Sequence, residues 1–158
     1  MRLKYKKIFL GLIALLVIGC SKDYTITKEL NRVCDIFPNY IGCTVPYNIA
    51  PLNMYTDSIE SGFVQIVTSN SDKAHYFDIK NHAVKFPKSK WSKILEENKG
   101  GQLHLTLAND KGEAYRTFII RVAEEPIDKY LAYRLIEPGY QHWSEMGLYQ
   151  RDLESFKQ

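Results

Sequence analysis

Apolar and polar residues alternate with a period of two through most of residues 62–123, and nothing else in the chain constrains its fold as much. Successive side chains of a strand point to opposite faces, so alternation marks half-buried strands. Residues 62–69 (GFVQIVTS) are rich in β-branched and aromatic types. Residues 74–80 (AHYFDIK) put Phe77 and Ile79 on one side, and residues 82–86 do the same with Val84 and Phe86. Turn-forming residues separate them: Ser69-Asn70-Ser71-Asp72 and Lys80-Asn81. Residues 102–108 alternate through Leu103, Leu105 and Leu107, and residues 113–123 through Phe118, Ile120 and Val122. Asn109-Asp110-Lys111-Gly112 between them predicts a hairpin loop.

The alternation breaks once. Trp91, Ile94 and Leu95 follow the helical spacing i, i+3, i+4, which predicts a helix over 89–99 with Ser89 as N-cap and Gly100-Gly101 as its stop. Pro46 and Pro51 flank residues 47–50 and predict an extended stretch near a sheet edge. Short, closely spaced strands predict an all-β fold, a small antiparallel immunoglobulin-like β-sandwich with one crossover helix. Residues 41–126 are its expected extent. Beyond it, residues 127–138 (IDKYLAYRLIEP) are aromatic and apolar. Met146, Tyr149, Leu153 and Phe156 then fall at i, i+3, i+7 and i+10, which predicts a C-terminal helix within residues 127–158. Its apolar stripe either packs on the sandwich or docks on something outside this chain.

The chain has 158 residues and a formal charge of +3. Four of its 21 basic residues, Arg2, Lys4, Lys6 and Lys7, lie in the first seven positions, with no acid before Asp23. Residues 20–158 carry 17 basic and 18 acidic residues, a formal −1, so the charge gives no reason to expect a nucleic-acid partner. The basic start, the 11 apolar residues 8–18 (IFLGLIALLVI) and the polar Ser21-Lys22-Asp23 have the layout of a secretory signal over residues 1–19. The apolar run is too short for a membrane span, which needs about 20 residues. A buried core helix is the competing reading, disfavoured by the N-terminal position and the flanking charges.

Val17-Ile18-Gly19-Cys20 resembles a bacterial lipobox. The resemblance implies that the Cys20 thiol takes a diacylglyceryl group through a thioether and that cleavage after the small Gly19 frees an amino group for acylation. One acyl chain anchors marginally, whereas two or more anchor stably. Residues 20–40 are then expected to be a lipid-anchored tether. Lys22-Asp23 loosely resembles the charged surface-export signal of Bacteroidota lipoproteins.

Cys34 and Cys43 stand nine residues apart, and either a disulfide or two free thiols suits an oxidising compartment. No histidine lies near them, and His75, His82, His104 and His142 have no metal-ligand spacing. Glu124, Glu125 and Asp128 flank Pro126 and are expected to be solvated; Arg134 and Glu137 suit an ion pair. Lys85, Lys88, Lys90 and Lys93 are expected to form a solvated helix face. Neither a G-x-S-x-G elbow nor a phosphate loop occurs. No catalysis, metal or cofactor is therefore expected. Eleven tyrosines and two tryptophans remain to be placed, and aromatic residues either fill small β cores or bind sugars and peptides. Tyr130, Tyr133, Tyr140 and Trp143 are the candidates for an exposed platform.

Residues 44–54 (TVPYNIAPLNM), 91–100 (WSKILEENKG), 123–140 (AEEPIDKYLAYRLIEPGY) and 149–156 (YQRDLESF) together resemble the N-terminal segment of Bacteroidota lipoproteins that continue into a TolB-like, WD-type β-propeller. Some of these are labelled cytochrome c biosynthesis proteins. In that family a C-x-x-C-H stretch and propeller blades follow, and this sequence has neither. The resemblance implies a truncated member, a stand-alone front module or a fragment, with an absent propeller domain as one possible partner. The expectation is an outer-membrane lipoprotein, anchored through Cys20, that holds or docks a protein partner through Tyr130, Tyr133, Tyr140, Trp143, Met146, Tyr149, Leu153 and Phe156. A glycan- or peptide-binding module, or a fragment of a cytochrome-related propeller protein, is the alternative.

Overall fold

A computed structural model describes residues 23–135 and 147–156. The strands are β1 (Lys28–Glu29), β2 (Thr44–Val45), β3 (Met54–Tyr55), β4 (Ser61–Thr68), β5 (Ala74–Lys80), β6 (Ala83–Val84), β7 (Gln102–Asn109), β8 (Glu113–Ala114), β9 (Phe118–Val122), β10 (Tyr130–Leu135) and β11 (Gly147–Asp152). One helix, α1 (Lys88–Glu97), crosses from β6 to β7. The described fold is thus all-β with a single crossover helix, as its alternation predicts.

β4 is the centre of a nine-stranded sheet, antiparallel to β5 on one edge and to β7 on the other. The register explains the core. Val64 lies opposite both Phe77 and Leu107, Ile66 opposite Leu105, and Leu103 opposite Ile120. Every alternating apolar residue therefore falls on one face, where Val64, Ile66, Ile79, Leu103, Leu105 and Ile120 are fully buried. Each such side chain contributes about 1.5–3 kcal/mol of burial. Trp91, Ile94 and Leu95 of α1 join the same cluster. The Trp91 ring stacks on Phe86 at 4.9 Å, and its Nε1–H donates to the Ile49 carbonyl at 3.2 Å. The sheet is mixed, because the short edge strands β1 and β2 run parallel to β8 and β9.

Three expectations are corrected. Ser89 is not the N-cap of α1. Pro87 holds that place with an extended backbone (φ −58°, ψ 128°) and offers no side-chain cap. The helix is closed instead at its far end by Asn98, whose Nδ2 donates to the Ile94 carbonyl (2.8 Å), and by Gly100 at φ +71°.

Residues 24–40 are not a tether. Thr27 N–H donates to the Gly112 carbonyl (2.9 Å), and β1 joins the sheet. Cys34 and Ile36 enter the main core, while Tyr24 and Ile26 cover Phe63, Ala108 and Ala114 on the sheet's other face. The domain therefore begins well before residue 41.

Among the described residues of the expected C-terminal helix, Gly147–Asp152 form a strand instead. β11 pairs antiparallel with β10 in a separate two-stranded sheet, with Tyr133 opposite Tyr149 and Tyr130 opposite Asp152.

Candidate docking hairpin

The β10–β11 hairpin is held at its base by local polar chemistry. Asn48 Nδ2 donates to the Ile127 carbonyl (2.8 Å), and the Ile127 N–H donates to Asn48 Oδ1 (2.9 Å). The Ala50 N–H donates to the Leu153 carbonyl (2.8 Å), and the Leu153 N–H donates to the Lys129 carbonyl (2.8 Å). Pro46 and Pro51 keep this stretch out of regular pairing, which frees Asn48 and Ala50 to hold the hairpin. Asp152 shapes the turn after β11. Its carboxylate accepts from the Glu154 N–H (2.8 Å) and from Ser155 Oγ (2.8 Å). The Ser155 bond in particular holds the Asp152 carboxyl below the usual carboxylate range.

Above that base the hairpin is open. Leu148 is 87% exposed, Tyr130 51%, Leu131 49% and Tyr149 44%. The Tyr133 and Tyr149 rings stack with centroids 5.8 Å apart. Residues opposite each other share a side, so Leu131, Tyr133, Tyr149 and Arg151 form one face and Tyr130, Arg134, Leu148 and Asp152 the other. A two-stranded sheet in water is marginal without a layer on one face. Half-buried Leu153 and exposed Phe156 complete the described part of the expected surface, with the Arg151 guanidinium 5.4 Å from the Phe156 ring centre. Tyr140, Trp143, Met146 and Cys20 lie outside the described residues.

Cys34 and Cys43 are not bonded to each other in this structure; Cys34 is buried and Cys43 half-buried. Burial pushes the Cys34 thiol above its ordinary value, although its Sγ lies 3.2 Å from Thr56 Oγ1. Burial raises Cys43 as well. Among the described residues no group of His, Cys, Asp and Glu converges to hold a metal ion. Glu124, Glu125 and Asp128 are exposed, as are Lys85, Lys88, Lys90 and Lys93.

Two concavities were not legible in the sequence. On the outer face of the sheet an open groove of about 900 Å³ is lined by Asn31, Gln65, Val67, His104, Thr106 and Thr117. The Thr106 and Thr117 hydroxyls, both in its lining, are hydrogen-bonded at 2.7 Å. A second cleft of about 710 Å³ runs between Tyr24, Tyr76 and a set of lysines. The polar positions of the alternation were the only available signal for the first, and they read equally well as a solvated face. No family model, curated protein or solved structure matches the chain.

Proposed function

We propose that the protein is a lipid-anchored lipoprotein of the cell envelope, at the outer membrane, acting as a non-catalytic module that docks a protein partner through the β10–β11 hairpin. The carrying observation is the pairing of a firmly bonded base with exposed Tyr130, Leu131, Leu148 and Tyr149. Aromatic and aliphatic anchors of this kind bind by being desolvated against a partner. The lipobox resemblance at Cys20 supports the anchor. The resemblance to the front segment of propeller-bearing lipoproteins supports a docking role beside a larger domain, and a reading frame continuing past codon 158 into C-x-x-C-H and blade repeats would supply that domain.

Capture from detergent-solubilised envelopes tests the docking role. The intact protein is expected to retain a partner that Leu148→Asp loses, since Leu148 is too exposed to matter for folding. Recovery of the same proteins by both, or of none by either, overturns it. A glycan- or peptide-binding module is the second reading, favoured by the amide and hydroxyl lining of the outer groove. Silence on glycan and peptide arrays removes it.

A further inference from the structure

We infer that the cleft walled by Tyr24, Lys80, Lys85 and Lys90 seats on the phosphate headgroups of an anionic lipid surface, and so sets which side of the domain faces the membrane. The inference rests on reading Cys20 as the lipid anchor.

Tyr24 is a fixed point of the domain. Its ring stacks on Tyr76 at 4.9 Å and 10°, meets Phe63 edge-on at 5.3 Å, and its hydroxyl donates to Asp78 Oδ1 at 3.2 Å. Only four residue steps separate it from Cys20, and four steps span at most about 14 Å. A thioether lipid at Cys20 therefore holds Tyr24 within about 14 Å of the anchor, roughly two headgroup layers. Of the surfaces within that reach, the charge of the Tyr24 cleft selects it.

That side is basic. The cleft beside Tyr24 is about 710 Å³ and is lined also by Tyr76, Asp78, Lys80, Lys85 and Lys90. Three ammonium groups face one carboxylate there, and Asp78 neutralises part of Lys80 at 3.4 Å. Lys22 and Asp23 cancel each other on the tether. Lys93 on the same helix is offset by Glu97 at 3.7 Å and adds little. The Lys80 side chain is 76% exposed, so its ammonium can reach a headgroup from its place beside Asp78 while its stem lines the cleft. The tyrosines suit the same place, because their rings favour the boundary between hydrocarbon and water. An apolar anchor and an adjoining basic patch are the two signals that together make membrane attachment stable.

The test uses the full chain, purified from membranes in detergent and reconstituted into vesicles of phosphatidylcholine alone or with added phosphatidylglycerol. Amine labelling is read lysine by lysine by mass spectrometry. Lys73 is the internal reference, since it precedes β5 while Lys80 ends it, roughly 23 Å away along the strand. On anionic vesicles Lys80, Lys85 and Lys90 should be protected relative to Lys73, by roughly five-fold for each lysine that reaches the surface. Molar salt should abolish the protection. Equal labelling on both vesicle types overturns the proposal, and protection produced by inorganic phosphate on neutral vesicles overturns the lipid assignment. Flotation on neutral vesicles reports the anchor separately. A chain that does not float there loses the anchor, while the labelling on anionic vesicles still reads the cleft.

Discussion

Asn48 joins parts of the chain 79 residues apart, with one side chain satisfying both the N–H and the carbonyl of Ile127. Asn48→Ala leaves both groups without that partner and is expected to cost about 1–3 kcal/mol. Hydrogen exchange should locate the loss, with amides of β10 and β11 opening faster while those of β4 and β7 stay protected. His75 gives the domain an acid limit. Burial first, and Lys73 next, lower its pKa below the ordinary value of 6.5. The unfolded chain therefore takes up this proton at higher pH than the folded one does. Stability that is full above pH 6.5 is lost as pH falls through the lowered folded value. Urea midpoints measured from neutral pH downward should show this slope, and His75→Gln should flatten it. Two half-buried polar residues look like any others in a sequence, because what singles them out is packing, and for Asn48 a partner 79 residues away.

β4, β5, β7 and α1 were legible because each buries one face, and a one-sided environment imprints its period on the residues. β11 was not. Met146, Tyr149, Leu153 and Phe156 satisfy a helical spacing, but residues 147–152 find their backbone partners in β10, and that pairing is non-local. A short apolar stripe suits either period when no partner is in view. The β4–β7 contact makes a sharper demand on Gly62. A Cβ there would meet the Ala108 carbonyl oxygen and lie 2.8 Å from Asn109 Cα. Gly62→Ala is expected to destabilise by about 3 kcal/mol, since backbone rather than a side chain must yield. A lowered denaturation midpoint with an unchanged urea slope would show it. Gly112, at φ +76°, has a second role that the hairpin motif does not announce, in that its carbonyl accepts the N–H groups of Thr27 and Lys28 from the returning N-terminal segment.

For the molecule as a whole, the proposed function assigns attachment to the N-terminal residues and docking to the β10–β11 hairpin. Cys20→Ala is expected to release the protein from membranes, read as loss from the pellet after a carbonate wash. Retention of that variant removes the lipid anchor and with it the orientation inferred for the Tyr24 cleft. The resemblance to a lipobox is readable in four consecutive residues because the processing chemistry acts on a linear segment. The order of the central strands and the crossover helix is readable too, because burial of one face leaves its period in the chain. The docking of residues 24–40, the β10–β11 hairpin and the cleft beside Tyr24 come from contacts between residues far apart in the chain. Such contacts are chosen by shape and hydrogen-bond complementarity in the folded chain, and they leave no period behind them in the sequence.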